Sequence, residues 1–286
     1  MSMNSLEIRN TVNILESLPA LPKIAREILA INLATDSGDE KLLKLVEQDP
    51  AISARIVGLA NSPLFGTSRK IMTTNDAAAV LGIKRIKMIA LSFAMMSSLT
   101  RKHSGLFDAT HLWQHSIAIA LAMDTLSKAM PPKMRPPDEE IYLAGLLHDI
   151  GFLVLDYIDP DLSNRFHARL ATEGGEGYTK LEAEMLELNH CELGALLAEH
   201  WNITPGIVAV LRYHHSGDMA LDAPGQPLIA MTHLAGNLFP AFGADKYVES
   251  KIEIAKWLEL GIDAGKVDEV EAAMRKRAEE IASAIS

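Results

Sequence analysis

The residues in this chain best suited to chemistry are its histidines. There are ten of them, none before His103, beside a single cysteine, Cys191. One cysteine excludes an internal disulfide framework and a zinc finger built on thiolates. Any metal site is therefore expected to use imidazole and carboxylate donors. In HLWQH, His111 and His115 stand four residues apart, about one helical turn, so both rings leave the same face. Such a pair can chelate one ion or serve two neighbouring ions; in isolation it describes two surface histidines equally well. In AGLLHDIG, residues 144–151, His148 and Asp149 sit among Tyr142, Leu143, Leu146, Leu147, Ile150, Phe152, Leu153 and Val154. A helix apolar on nearly all sides is buried, and a buried carboxylate is costly unless it is paired or binds a metal. His190 follows Asn189 at a helix start, and His214-His215 end a helix before Ser216-Gly217. The helix dipole alone favours histidine at that end. His233 lies in the apolar run LIAMTHLAGNL, where a lone histidine is ordinarily a satisfied core residue.

The elements that must position these residues read as helices. Apolar residues recur at three- and four-residue intervals, and no useful alternating run marks a strand. The pattern predicts helices near 5–17, 22–33, 39–48, 50–61, 75–81, 83–99, 109–130, 138–156, 160–172, 178–188, 190–201, 205–215, 226–239, 247–260 and 264–284. Asp49-Pro50 and Thr204-Pro205 place a capping residue before proline at the first helical position. Ser37 with Glu40, and Asn189 with Glu192, read as capping boxes. The prolines of residues 130–137 and the glycines of 173–177 break the pattern, and a third loop covers 216–227. The C-terminal segment around Trp257 reads as an amphipathic helical pair that either packs on the rest or dimerises.

Composition narrows the function. Lys plus Arg number 27 against 37 Asp plus Glu in 286 residues, a formal charge of -10, which argues against sequence-independent nucleic-acid binding. The first residues lack the apolar stretch of a signal peptide. The apolar run at residues 88–96 is far short of the roughly 20 residues that span a bilayer. A soluble cytoplasmic protein without membrane partners is the expectation. Arg69, Lys70, Lys84, Arg85, Lys87, Arg101 and Lys102 form a basic run, read as the solvated face of two helices rather than a phosphate- or partner-binding surface.

The order of the histidines resembles the HD superfamily of metal-dependent phosphohydrolases. There a first His, a His-Asp pair and a late Asp hold one metal, and further histidines serve binuclear and trinuclear members such as the HD-GYP phosphodiesterases of cyclic dinucleotides. By this resemblance His115 matches the first His, and His148 and Asp149 match the pair, with Asp149 bridging. His190 matches the intervening His, and His214 and His215 the double His. His111 falls where trinuclear relatives carry Glu. A closer resemblance, over roughly residues 10 to 240, is to the HDOD domain of bacterial signalling proteins. It rests on LPALPKIAREIL, VEQDPAISARIVGLANSPLFG, AAAVLGIKRIKMIALS, LWQHSIAIALA, AGLLHDIGFLVL, HCELGALLAEHW and ITPGIVAVLRYHH in that order.

The resemblance implies an all-α, HD-superfamily-like helical bundle. Residues 1–107 would form an N-terminal lobe, 108–240 an HD-like lobe carrying the His/Asp set, and 241–286 a C-terminal extension. It also exposes departures from the active enzymes. Gly236, in HLAGN, stands where the late Asp would be, with His233 one turn earlier as a substitute. Phe152 replaces the Lys of the HDIGK signature, and Ser-Gly-Asp follows the double His in place of the Gly-Tyr-Pro segment. Two functions are implied. One is a signal-transduction module, working through signalling partners, whose metal site is degenerate for catalysis. The other is an active phosphohydrolase or phosphodiesterase on a nucleotide or related phosphate-containing small molecule, with Asp149 catalytic. The ligand set His115, His148, Asp149, His190, His214 and His215, with His111 and His233 as further candidates, suits a divalent transition metal in a binuclear arrangement. Ligand type does not choose among iron, zinc, manganese and nickel.

Overall fold

Local capping starts many of these helices where the sequence places it. The Asp49 carboxylate accepts from the backbone N–H groups of Ala51 and Ile52, and Asn189 accepts from Glu192. A computed structural model describes residues 16–67, 69–100, 105–173, 178–216, 225–239 and 252–285, and no strand occurs among them. The N-terminal part comprises α1 (Lys23–Leu29), α2 (Asp36–Glu47), α3 (Pro50–Ala60), α4 (Thr74–Leu81) and α5 (Ile83–Leu99). There follow α6 (Ala109–Ala129), α7 (Asp138–Leu147), α8 (Ile150–Ile158), α9 (Pro160–Glu173), α10 (Tyr178–Met185), α11 (His190–His200), α12 (Pro205–Tyr213) and α13 (Leu228–Leu238). The chain closes with α14 (Ile254–Glu259) and α15 (Val267–Ile285). The expected helix over 5–17 lies outside the described residues save for its last two positions, as do Arg101, Lys102, His103, residues 174–177 and most of the loop over 216–227.

Two capping expectations need correction. Helix α2 begins at Asp36 behind Thr35, so Ser37 lies inside the first turn, its hydroxyl 3.2 Å from that of Thr35. Thr204 precedes Pro205 as expected, but its side chain caps nothing.

The single helix expected over 138–156 is two helices. Helix α7 stops at Leu147 and α8 starts at Ile150, with Asp149 between them at φ -101° and ψ 14°. The Asp149 side chain does not cap α8, forgoing about 1 kcal/mol that such a cap ordinarily contributes. The carboxylate is thereby free to face the core. The 138–158 stretch is apolar and long enough to cross a membrane by composition, but it is mostly buried inside the bundle. Its apolarity is accounted for by packing.

The main core runs from Leu18 to Met274, and a smaller cluster of Phe152, Phe166 and Leu181 stands beside it. Helix α5 is buried along most of its length and packs on α1, α3 and α7, while α6 lies between α7, α13 and α15. Helix α15 rests along α6, with Trp257, Leu260 and Met274 fully enclosed. The C-terminal segment thus packs on the rest of the chain.

Asp124, buried on α6, ties these parts together. It accepts from Lys128 at 2.7 Å on its own helix, from Arg85 of α5 at 3.2 Å and from Arg277 of α15 at 3.0 Å. The basic run is only in part a solvated face, since Arg69, Lys70 and Lys84 are exposed while Arg85 and Lys87 are half-buried. Arg85 turns inward over the Tyr142 ring, Lys84 pairs with Glu139 at 3.0 Å, Lys87 donates to the Ile31 carbonyl at 2.6 Å, and Arg69 pairs with Asp76 at 3.1 Å. Burial alone would raise the Asp124 pKa, but Lys128, Arg85 and Arg277 together hold it below the usual carboxylate value.

Replacing this residue, Asp124→Asn, leaves three cations facing a neutral amide. A cost of about 2–3 kcal/mol is expected, below the full range for a buried pair because the cations are partly solvated. Chemical denaturation would measure it. A depressed native pKa means that the unfolded chain takes the proton first. The gap between wild type and variant should therefore be complete at neutral pH, and should shrink as pH falls below the unfolded value of about 3.9.

Candidate metal centre

The site is assembled from helix ends. His115 comes from the second turn of α6, His148 and Asp149 from the α7–α8 break, His190 from the first residue of α11, and His214 and His215 from the turn after α12. Two glycines permit the approach. A Cβ on Gly145 would lie 2.5 Å from the Ala120 Cα, so α7 sits backbone-close to α6. A Cβ on Gly151 would lie 1.8 Å from the His190 carbonyl oxygen, so α8 and α11 meet through bare backbone beside the two ligand residues. Arg212 pairs with Glu192 and Glu199, both at 3.1 Å, which fixes the end of α12 against α11.

Asp149 is the meeting point. Its Oδ2 lies 3.4 Å from His115 Nε2 and 3.3 Å from His148 Nε2. Its Oδ1 lies 3.5 Å from His190 Nε2 and 3.3 Å from His214 Nε2. Each carboxylate oxygen thus faces its own pair of imidazoles. His148 is 2% exposed, Asp149 1%, His190 1% and His214 2%; the His115 side chain is 9% exposed and His215 is half-buried.

Hydrogen bonds on the outer ring nitrogens fix the tautomers. His148 Nδ1–H donates to the Gly145 carbonyl at 2.9 Å, and His214 Nδ1–H to the Leu211 carbonyl at 3.0 Å. His190 Nδ1–H donates to the Glu182 carboxylate at 2.8 Å, and the same carboxylate accepts the His190 backbone N–H at 2.9 Å. In their neutral forms the Nε2 lone pairs of these rings consequently point inward. His190 Nε2 and His214 Nε2 face each other at 3.3 Å, His190 Nε2 and His215 Nε2 stand 3.1 Å apart, and Asp149 Oδ1 has no hydrogen-bond donor. Three or four acceptors converging in a buried space call for a positive charge, supplied by protons or by a metal ion.

The pKa directions agree with that demand. Burial alone would raise Asp149, but His148, His115 and His214 hold it well below the carboxylate range. Burial likewise lowers His190 and His214, yet Glu182 raises the former, and Cys191 and Asp149 the latter, to a net increase. His215 is pushed down to about 2 by burial and by the neighbouring His214 and His190, so it stays a neutral donor. The spacings suit a metal as well, because ligands about 2.0–2.1 Å from a tetrahedral ion lie about 3.3 Å from one another.

Two clusters of donor atoms result: His115, His148 and Asp149 in one, and His190, Cys191, His214 and His215 in the other. His111 belongs to neither. It is exposed in the first turn of α6, its backbone N–H held by the Asp108 carboxylate at 3.2 Å. His233 belongs to neither as well. Its Nδ1–H donates to the His214 carbonyl at 3.0 Å, and its Nε2 accepts from Asn237 at 3.0 Å, so it braces the double-histidine turn from behind. Two residues not anticipated as participants, Glu182 and Cys191, stand at the site. Glu182 is buried and orients His190, and its only trace in the sequence is a charge beside Leu181 in an otherwise amphipathic helix. Cys191 adjoins a predicted ligand.

An all-helical bundle with a His-Asp pair at a helix break, met by histidines from helices on either side, defines the HD class. The chain matches the HDOD domain over residues 18–217 and belongs to that family. Among solved structures it is similar to a candidate signal transduction protein from Marinobacter aquaeolei VT8, at 26% identity and a TM-score of 0.77, over 100% of this chain and 61% of that one. It is also similar to a candidate phosphohydrolase from Shewanella amazonensis SB2B, at 25% identity and a TM-score of 0.70, over 96% and 98% of the two chains. An uncharacterised protein of Treponema pallidum (strain Nichols) is 23% identical over 207 residues, 71% of this chain and 39% of that protein. This chain thus spans about two fifths of the Treponema relative and three fifths of the Marinobacter one.

If Glu182 steadies His190 as a ligand, Glu182→Gln should lower affinity for zinc or manganese about 10–100-fold. Asp149→Ala, which removes the donor shared by both clusters, should abolish stoichiometric binding. Metal content after dialysis, and titration calorimetry, would read both.

Proposed function

We propose that the protein is a regulatory module of bacterial signal transduction whose HD-type centre holds divalent transition metal without turning over a phosphate substrate. The observation that carries this reading is Phe152. Its fully buried ring stacks on His190 with centroids 4.3 Å apart and planes 10° from parallel. By the family resemblance, this is where the cyclic-dinucleotide phosphodiesterases carry a lysine for the substrate phosphate. A phenyl ring offers a phosphate neither charge nor a hydrogen bond, and here it walls the histidine that would face the reaction.

A second observation supports the same reading. Gly236, on α13, has no side chain where the late metal-binding carboxylate is expected, and His233 one turn earlier is engaged with the His214 carbonyl and Asn237. The metals of this class activate water and offset charge developing on phosphate. Of that machinery, this chain's residues retain the part that holds the ion. His115, His148 and Asp149 would hold one ion, and the cluster around His190 the other. Glu182 and the Gly145 and Leu211 carbonyls orient the rings, and Phe152 keeps water and anions from the His190 face. Regulation would then run through signalling partners that sense whether the centre is filled. A cytoplasmic setting fits this role.

The alternative is a metal-dependent phosphohydrolase or phosphodiesterase acting on a nucleotide or related phosphate. It is favoured by the retention of two donor clusters and by the incomplete burial of His215.

Protein purified anaerobically with iron, zinc, manganese or nickel is expected to retain metal stoichiometrically. It should show no turnover of mono-, di- or cyclic nucleotides. Hydrolysis that disappears in Asp149→Ala would establish the alternative. Metal-free wild-type protein under these conditions would remove both readings.

A further inference from the structure

We infer that Cys191 is a metal ligand, its Sγ completing with His190, His214 and His215 a mixed imidazole–thiolate position for a thiophilic ion such as zinc. The inference rests on the metal-holding reading above and adds the donor that distinguishes one of its two positions.

Its first support is geometry. Cys191 Sγ lies 3.4 Å from His190 Nε2, and one donor atom from each of the four residues falls within 4.8 Å of all the others. For a tetrahedral ion with zinc–nitrogen distances near 2.0–2.1 Å and zinc–sulfur near 2.3 Å, the sulfur–nitrogen edge is about 3.5 Å and the nitrogen–nitrogen edge about 3.3 Å. The three edges from His190, 3.4 Å to Cys191 Sγ and 3.3 and 3.1 Å to the Nε2 atoms of His214 and His215, match that set, and Cys191 Sγ stands 4.0 Å from His214 Nδ1.

Its second support is independent of the sulfur. Asp149 Oδ1 is a buried acceptor without a donor, 3.5 and 3.3 Å from His190 Nε2 and His214 Nε2. The outer nitrogens of those two rings are committed to Glu182 and the Leu211 carbonyl. In the neutral forms of those rings, the space beside Cys191 is therefore lined by inward lone pairs that a metal ion can satisfy. Cys191 itself is buried and stands in the first turn of α11, where the helix dipole favours a negative atom. On binding, the thiol proton leaves to solvent and the thiolate bonds the ion.

The consequence is that the two positions differ. His115, His148 and Asp149 offer nitrogen and oxygen to an ion such as manganese or iron, whereas the cluster with sulfur prefers zinc. With Asp149 Oδ1 also facing His190 and His214, protein donors alone can fill the second position, as they do in structural zinc sites. That is a further reason for the centre to hold metal without hydrolysing phosphate.

X-ray absorption at the zinc edge of the full chain tests this directly. Wild-type protein should show a sulfur shell at about 2.3 Å beside nitrogen and oxygen at about 2.0–2.1 Å. Cobalt-loaded protein should show a sulfur-to-cobalt charge-transfer band in the near ultraviolet. Cys191→Ser and Cys191→Ala should lose both signals while still binding metal. A wild-type spectrum with bound zinc and only nitrogen and oxygen neighbours would overturn the ligand assignment and leave the metal-holding reading standing. So would a sulfur shell that survives in either variant. Wild-type protein that binds no metal would overturn both. Should the variants fail to fold, the wild-type shell alone decides.

Discussion

Burying the Asp149 carboxylate among four imidazole nitrogens dictates what the helices around it must do. A charge taken out of water needs partners on every side, and here each oxygen faces two rings from different helices. The rings in turn need their outer nitrogens satisfied, and those bonds go to the Gly145 and Leu211 carbonyls and to Glu182. The break between α7 and α8, the start of α11 and the end of α12 all stand where this shell of donors requires them. Phe152 stacks on the His190 ring and Cys191 stands 3.4 Å from its Nε2, so both border the shell.

A second buried carboxylate, Asp124, solves the same physical problem differently. Three cations from three helices surround it, and the solution binds α5 and α15 to α6. The contrast separates the two roles. Asp124 meets permanently charged side chains and is complete as it stands. Asp149 meets imidazoles, whose inward nitrogens balance its charge only when they carry a proton or share a metal ion.

Much of the site was legible through the family resemblance, which names His115, His148, Asp149, His190, His214 and His215 as candidate ligands, and the fold brings these side chains together around Asp149. The rest depended on tertiary contacts. The α7–α8 break has no proline or glycine at its centre, and the apolar pattern runs through it unchanged, so one long helix was the natural reading. Arg85 looked like part of a solvated run because its partner, Asp124, lies on another helix 39 residues away. Glu182 gains its meaning only when α10 folds back to within reach of His190, eight residues on. A single cysteine reads as too few for a disulfide or a thiolate finger, and that count passes over the position of Cys191 next to a predicted ligand. His111 and His233 share the histidine spacing but face elsewhere, since a one-turn separation fixes a face and not a destination.

The bare-backbone contact between Gly151 and the His190 carbonyl has a consequence for how this protein can change over time. The separation between its two ligand-bearing helices is set there by main-chain atoms in contact, not by side chains whose size can vary. Mutations that repack the surrounding leucines and isoleucines can shift the bundle by fractions of an ångström elsewhere while this gap keeps its value. The centre is thereby insulated from ordinary drift in the core, at the expense of making one position, a glycine in an otherwise replaceable apolar helix, intolerant of any substitution.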